Sequence, residues 1–178
     1  MVKTYYINLI IGFIFICILG CSNSNSQIAD KYFEAGEYLK AVDEYSYVIA
    51  EDPNNLQAYL NRGKSYHELE KYNLALVDYS VVIKMDPKNK EAYIFRGYIY
   101  ESQSNYYKAL IDYNIAISLD SKDPVTYIDR GDAYYALKEY IRALEDYAKA
   151  LSISPDNEVA KYKIEYMSSE EFFNIVNK

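Results

Sequence analysis

Apolar side chains recur at helical spacing through most of the chain. Ala75, Leu76, Tyr79, Val82 and Ile83 occupy positions i, i+1, i+4, i+7 and i+8, which together form one face of an α-helix. The same face returns further along the chain, from Ala109 onward. With only 6 glycines and 4 prolines in 178 residues, the composition argues against a turn-rich all-β chain. The pattern therefore predicts a succession of amphipathic helices.

Two small residues, a glycine and an alanine, recur every 34 residues, which is the distance in sequence between Ala75 and Ala109. Side chains this small let two helix axes approach closely, so we expect each period to be a pair of antiparallel helices. The Asp86-Pro87 dipeptide ends one of these pairs, because proline cannot continue a helix. The aligned residues are Gly63, Gly97 and Gly131, and Ala41, Ala75, Ala109 and Ala143.

The aligned segments contain no gap, and aromatic residues flank the glycine in each full copy. This pattern resembles the tetratricopeptide repeat (TPR). The resemblance implies an all-α fold, a TPR α-solenoid of antiparallel helix pairs over residues 28–157, with a C-terminal capping helix and a short terminal helix in 158–178. Pro124 opens a helix and Ser121 replaces the usual proline, so we expect an altered junction there. The repeats are 22–55, which is partial, 56–89, 90–123 and 124–157.

The N-terminus has a different character. One lysine is followed by an apolar run from Tyr5 to Leu19, which is too short to span a bilayer and fits an export signal. The run ends at Gly20-Cys21 before a polar stretch, which resembles a bacterial lipoprotein signal. The resemblance implies a signal peptide at 1–20, a lipid on Cys21 and a polar tether at 21–27. An uncleaved anchor helix is the alternative.

This anchor would place the protein at a bacterial cell envelope. Since Cys21 is followed by serine, we expect the outer membrane if the cell has two membranes, and otherwise the outer face of the plasma membrane. Several acyl chains attach a protein durably, whereas one chain alone is marginal.

Charge and residue content narrow the function further. The net charge of −7 and the lack of a basic run argue against a nucleic-acid partner. His67 is the only histidine, no phosphate loop or nucleophile elbow occurs, and no cofactor is expected. We therefore predict that the chain is not an enzyme.

An arginine in each full repeat precedes an aspartate by sixteen residues. One hypothesis is a row of arginines that grips an acidic peptide. We favour a structural ion pair at the seam between the two helices, because the partner is built into every repeat. The pairs are Arg62 and Asp78, Arg96 and Asp112, and Arg130 and Asp146.

In the TPR family, ligands contact exposed positions of each first helix on the concave face. This implies a mixed apolar and aromatic groove suited to a helical or extended peptide. The alternative is that these residues pack against the next repeat. Leu60, Ile94 and Ile128 stand where carboxylate-clamp members have lysine, so a clamp for C-terminal carboxylates is not expected. The candidate groove residues are Leu60, Lys64, His67, Ile94, Tyr98, Glu101, Ile128, Asp132 and Tyr135.

Tyrosine is abundant, with 23 copies, but fifteen of them fall in four repeat columns and are expected to fill seams between helices. Only Tyr98 and Tyr135 are expected to meet a ligand. We predict a membrane-anchored scaffold or adaptor that binds other envelope proteins. The alternative is a structural homo-oligomer whose groove is occupied by the C-terminal segment that contains Phe172 and Phe173.

Overall fold

The computed structural model describes residues 26–169. These residues form helices joined by short turns and contain no strand. They divide into two compact units, one ending at Met85 and one beginning at Asp86. The all-α TPR fold predicted from the repeats is confirmed. Unit 1 contains α1 (26–34), α2 (Tyr38–Glu51), α3 (Leu56–Glu68) and α4 (Tyr72–Met85), and unit 2 contains α5 (Lys90–Ser102), α6 (Tyr106–Leu119), α7 (Pro124–Ala136), α8 (Tyr140–Ile153) and α9 (Glu158–Met167).

The first helices begin at side-chain caps that recur in register with the repeat. Asn55, Asn89 and Asn157 each accept a hydrogen bond from the backbone N–H three residues later, at 2.9–3.0 Å. Such a bond satisfies one of the donors that a helix start leaves unpaired. The caps fix where α3, α5 and α9 begin.

Helix α7 begins differently, at the junction expected to be altered. Pro124 occupies its first turn, where its missing N–H costs nothing. The cap is Asp123, which accepts from the N–H of Val125 at 3.1 Å rather than from a residue three positions on. Its second oxygen accepts from the hydroxyl of Thr126 at 2.8 Å. Thr126 stands at the position where α3, α5 and α9 have alanine.

The turn inside each helix pair uses a left-handed residue. After α3, the N–H of Glu70 bonds to the carbonyl of His67 and the N–H of Lys71 bonds to that of Tyr66, both at 2.8 Å. This is a Schellman motif, which requires a positive φ at its C′ residue. Glycine adopts such a φ without strain, but only the first pair uses one. The residues at this place in successive repeats are Gly36, Glu70, Ser104 and Lys138, with φ of 73°, 56°, 57° and 62°.

The repeating glycines are explained by tyrosines of the second helices. A Cβ placed on Gly63 would lie 2.7 Å from Cε1 of Tyr79. At Gly97 and Gly131 the corresponding distance to the ring of the following second helix is 2.6 Å. Carbon atoms pack at about 3.5–4.0 Å, so only glycine leaves room for the ring. The first and second helices of a pair are therefore joined by a tyrosine seated in a glycine notch.

Each unit has a core built from these small residues and rings. In unit 1, Ala41 and Tyr45 of α2 pack with Ala29 of α1 and Ala58 of α3. In unit 2, one cluster is formed by α7, α8 and α9, and it includes Tyr147 and Met167. Within the described helices, none combines the length and apolar character needed to cross a bilayer.

Candidate interaction surface

Each repeated arginine forms a bidentate ion pair with the aspartate sixteen residues later in the sequence. Nε of Arg96 donates to Oδ2 of Asp112 at 2.8 Å and its Nη2 donates to Oδ1 at 2.8 Å. Paired bonds of this kind are stronger and more specific than single ones. The same two contacts join Arg62 to Asp78 at 2.8 and 2.7 Å, and Arg130 to Asp146 at 2.8 and 2.6 Å.

The guanidinium groups are also enclosed by aromatic rings. Arg130 lies over the rings of Tyr127 and Tyr134, with its Cζ 5.5 and 5.9 Å from the ring centres, within the range of cation–π attraction. The hydrogen bonds that Arg130 donates to Asp146 raise the pKa of Arg130. Burial raises the pKa of Asp78 at the corresponding place in unit 1, against the opposite effect of its arginine partner.

Two of these arginines also donate a third hydrogen bond, to the second helix of the preceding pair. Nη1 of Arg62 donates to Ser46 of α2 at 3.1 Å, and Nη1 of Arg130 donates to Asn114 of α6 at 2.6 Å. Each of these arginines thus joins its own helix pair to the pair before it. The geometry is that of the structural seam, and the guanidinium donors are engaged within the chain rather than presented to an acidic peptide.

The groove residues expected in unit 1 are less accessible than the sequence analysis assumed. Leu60 is only 1% exposed, so its expected place on an open groove is wrong. Lys64 and His67 are half-buried, and the imidazole of His67 leans against the ring of Tyr72 with ring centres 5.9 Å apart. Helix α3 packs against both α2 and α4, so less of its surface is open than a single helix pair would leave.

Unit 2 repeats this outcome at the equivalent position. Ile128 is 7% exposed and belongs to the core cluster of α7, α8 and α9, so its assignment to an open groove is also wrong. Ile94 is half-buried on α5. Leu60, Ile94 and Ile128 therefore do not form an apolar stripe along an open groove, because two of the three side chains are buried.

Further groove candidates form hydrogen bonds between successive first helices. Tyr98 of α5 donates to Oδ2 of Asp129 on α7 at 2.7 Å. Lys163 of α9 donates to Oδ2 of Asp132 on α7 at 2.9 Å. Asn61 and Asp30 form the equivalent pair in unit 1, at 3.2 Å. The hydroxyl of Tyr98 is thus bonded to the neighbouring repeat, and its contact with a ligand stays a prediction.

Tyrosines of the second helices also donate hydrogen bonds to carboxylates of the first helices. Tyr113 donates to Glu101 at 2.8 Å, and Tyr147 donates to Asp132 at 2.6 Å. Tyr45 makes the same kind of bond to Asp30 in unit 1, at 2.6 Å. Tyr113 and Tyr147, which fill two of the glycine notches, therefore also hold carboxylates on the first helices.

The carboxylates of unit 2 are close enough to influence one another. Burial, together with the negative charges of Glu101, Asp132 and Asp123, raises the pKa of Asp129 to about 7, while the bond from Tyr98 opposes the shift. Burial and the charge of Asp132 also raise the pKa of Glu101. We call Glu101, Asp129 and Asp132, with Tyr98, the acidic face of unit 2.

Asp129 and Lys163 were not among the residues selected from the sequence. They share one repeat column with Asn61 and Phe95, a column that sequence inspection could have found from its spacing. Its members differ in charge and size, so the column has no single chemical signature. The bonds that these residues form with the preceding first helix become visible only when the two helices are placed side by side.

Unit 2 also contains a cavity of about 200 Å³ beside α9. Four tyrosines contribute to its wall. Tyr135 packs edge-on against Tyr140, with ring centres 5.5 Å apart, and burial together with a hydrogen bond to Tyr166 raises its pKa. The lining residues are Tyr135, Tyr147, Tyr162, Lys163, Tyr166 and Met167.

The described residues show no metal site. Among residues 26–169, no group of three histidine, cysteine, aspartate or glutamate side chains stands where it could hold a metal ion. Cys21, the predicted lipidation site, lies outside the described residues, as do the C-terminal segment from residue 170 and the greater part of the predicted tether. The chemistry of the described surface is thus hydrogen bonding, charge and aromatic contact.

Family models match the chain over nearly all its repeats. Models of the tetratricopeptide repeat match residues 56–89, 90–123 and 124–157, and a TPR repeat model matches 29–70. No curated protein matches the chain.

Solved structures agree with these matches. A crystal structure of MamA is 28% identical, with a TM-score of 0.73, and the match covers 77% of this chain and 80% of that one. The first TPR of Spaghetti (RPAP3), bound to the HSP90 peptide SRMEEVD, is 26% identical with a TM-score of 0.62, over 66% of this chain and 93% of that one. MamA from Desulfovibrio magneticus RS-1, at 20% identity and a TM-score of 0.72 over 77% of each chain, is alike in fold. The chain belongs to the tetratricopeptide repeat family, whose fold is a scaffold for protein–protein interaction.

Proposed function

We propose that the protein is a lipid-anchored scaffold of a bacterial cell envelope, which holds a basic segment of another envelope protein on the acidic face of unit 2. The anchor rests on the apolar run before Cys21 and the polar stretch after it. Attachment to a membrane confines the scaffold and its partners to a thin layer, which raises their effective concentration.

The observation that carries the binding proposal is the set of half-buried carboxylates on α5 and α7. Glu101, Asp129 and Asp132 lie on these two first helices, and the described cation that pairs with them is Lys163. A face with an excess of negative charge favours a partner that brings lysine or arginine, and it repels an acidic one. The partner proposed here is therefore an extended or helical segment with basic side chains.

The comparison with Spaghetti sharpens this choice. That protein's first TPR is bound to SRMEEVD, a peptide with three acidic residues near its end. A peptide of that charge would meet Glu101 and Asp129 here at close range. The TPR fold thus supports the mode of binding, while the residues of this chain support the opposite charge in the ligand.

Photo-cross-linking in cells tests the binding. A benzophenone amino acid at Ile94, which is half-buried and lies on α5 with Tyr98 and Glu101, should join the full-length protein to a partner peptide that contains lysine or arginine. In cells held at a pH above about 7, where Asp129 is mostly ionised, Glu101→Gln with Asp129→Asn removes two charges but keeps an oxygen that can accept each tyrosine bond. We expect this pair to lower the cross-linked yield at least fivefold.

The matched control removes two charges elsewhere. Glu91→Gln with Glu145→Gln changes exposed residues of unit 2 and gives the same net charge. Equal loss of yield in both pairs, or no loss in either, would contradict the role of the acidic face. A product of twice the chain mass would instead support the homo-oligomer.

Labelling with a fatty-acid analogue tests the anchor separately. Cys21→Ser should abolish incorporation of the label and leave an uncut precursor. Normal labelling of this variant would refute the anchor without bearing on the binding face.

A further inference from the structure

The outer side of α9 has an apolar face that nothing in the described residues covers. Tyr162 is 68% exposed there, although it occupies the same repeat column as Leu60 and Ile128, which are 1% and 7% exposed. Ile128 is covered by residues of α8 and α9, with which it shares a core cluster. Helix α9 is the last described helix, and no other element of residues 26–169 covers Tyr162.

The cavity described above opens at this same place. Tyr162 and Tyr166 of α9 stack, with ring centres 6.4 Å apart, and line it together with Tyr135 of α7 and Met167. Its volume of about 200 Å³ exceeds the ~150 Å³ of an engineered protein cavity that binds benzene, so one phenyl ring fits. The wall is aromatic, which favours another ring at its edge or face.

The chain that continues from α9 contains such rings. Met167 lines the cavity, and Phe172 and Phe173 follow it by five and six residues. Five residues span at most ~18 Å, while Tyr162 is only one and a half helical turns before Met167, or ~8 Å. The segment 170–178 is thus long enough to return along α9.

We propose that segment 170–178 docks in the same chain that bears it, with the ring of Phe172 or Phe173 in the cavity lined by Tyr135, Tyr162 and Tyr166. Lys163 in the cavity wall offers a cationic contact to Glu170 or Glu171. The docked segment covers the face that a further repeat would cover and so closes the end of unit 2.

Effective concentration favours this arrangement over exchange between two copies. A segment tethered by a few residues reaches its site at an effective concentration of the order of millimolar. A second copy present at micromolar concentration is therefore disfavoured by about a thousandfold for the same contact. The occupant is the chain's own segment and not that of a neighbour.

Photo-cross-linking from position 173 tests the docking in the full-length protein. With a benzophenone amino acid in place of Phe173, the expected product has the mass of one chain and joins the C-terminal peptide to the peptide 131–138, which contains Tyr135. Tyr162→Lys should lower the yield of this product about tenfold. Tyr107→Lys is the matched control, because Tyr107 is also 68% exposed in unit 2 but lies on α6.

A fluorescence measurement gives an independent result, because the chain has no tryptophan. The single tryptophan of Phe173→Trp should have blue-shifted emission and low quenching by acrylamide, and Tyr162→Lys should reverse both changes. A cross-linked product of two chains, a link to another protein, or a solvent-exposed tryptophan with no link would each overturn the proposal. So would an equal loss with Tyr107→Lys.

This test is separate from the proposed function. Glu101→Gln with Asp129→Asn should leave the intrachain link unchanged, because neither residue lines the cavity. Failure of partner capture and failure of docking can therefore be told apart.

Discussion

The glycine notches provide a prediction whose sign is opposite to that expected from helix propensity. Replacing a glycine inside a helix by alanine ordinarily stabilises a protein by up to ~1 kcal/mol. Gly131→Ala would place a Cβ 2.6 Å from Cε1 of Tyr147, about 1 Å closer than carbon atoms pack. The ring cannot retreat freely, because it is 1% exposed and its hydroxyl is bonded to Asp132 at 2.6 Å.

Overpacking of this kind costs ~1–3 kcal/mol, and a weakened hydrogen bond adds ~1 kcal/mol. After the gain in propensity is subtracted, we expect Gly131→Ala to lower the free energy of unfolding by about 1–3 kcal/mol. Urea unfolding of the full chain, followed by circular dichroism, measures this change.

A double-mutant cycle isolates the contact. Tyr147→Leu removes the ring while Asp132 keeps its bond to Lys163, so Gly131→Ala in that background should be neutral or stabilising by up to ~1 kcal/mol. The coupling energy should then be about 1–4 kcal/mol. If Gly131→Ala alone stabilises the protein, or if its cost is the same in both backgrounds, the steric explanation of the glycine column is wrong.

Three further predictions concern the turn, the ion pair and the acidic face. Lys138→Gly should raise the free energy of unfolding by ~0.5–1 kcal/mol in the same assay, because Lys138 has a φ of 62° that costs a side-chain residue ~1–2 kcal/mol, partly offset by the entropy of glycine. Arg96→Leu should lower the free energy of unfolding by ~3–5 kcal/mol, because it leaves the carboxylate of Asp112, which is 1% exposed, without its cation. Asp112→Asn should cost less, because the Arg96 side chain that it leaves unpaired is 20% exposed, and equal costs would contradict this reasoning. With a pKa of about 7 for Asp129, the folded protein holds a proton that the unfolded chain has lost between about pH 4 and pH 7, so the free energy of unfolding should fall as the pH rises through this range. Asp129→Asn should flatten this part of the stability curve, and an unchanged curve would contradict the raised pKa.

The fold could be predicted from the sequence because each repeated contact uses the same residue types. Glycine and tyrosine recur in register, as do arginine and aspartate, so the repeat step and the constant spacing of each pair are visible in one dimension. The caps at Asn55, Asn89 and Asn157 follow the same rule and could have been found in the same way. Contacts repeated with constant chemistry are the ones that a single sequence displays.

The candidate surface was predicted less well, for two physical reasons. A single helix pair leaves Leu60 and Ile128 exposed, but packing in the folded chain buries both. The contacts between first helices join partners of changing chemistry, such as Tyr98 with Asp129 and Lys163 with Asp132. A position that donates in one repeat and accepts in the next has no residue signature to recognise.

The acidic face and the core are linked through the tyrosine column, and this limits how the surface can change. In the pairs α5–α6 and α7–α8, the glycine notch fixes a tyrosine ring whose hydroxyl ends at the first-helix face and donates to a carboxylate there. Asp30, Glu101 and Asp132 are the acceptors for Tyr45, Tyr113 and Tyr147. Removing such an acceptor leaves a buried hydroxyl unsatisfied, at a cost of ~1–3 kcal/mol. The negative charge of this face is therefore partly a consequence of core packing, so charge and stability can be separated only by substitutions such as Glu101→Gln, which keep the acceptor and remove the charge.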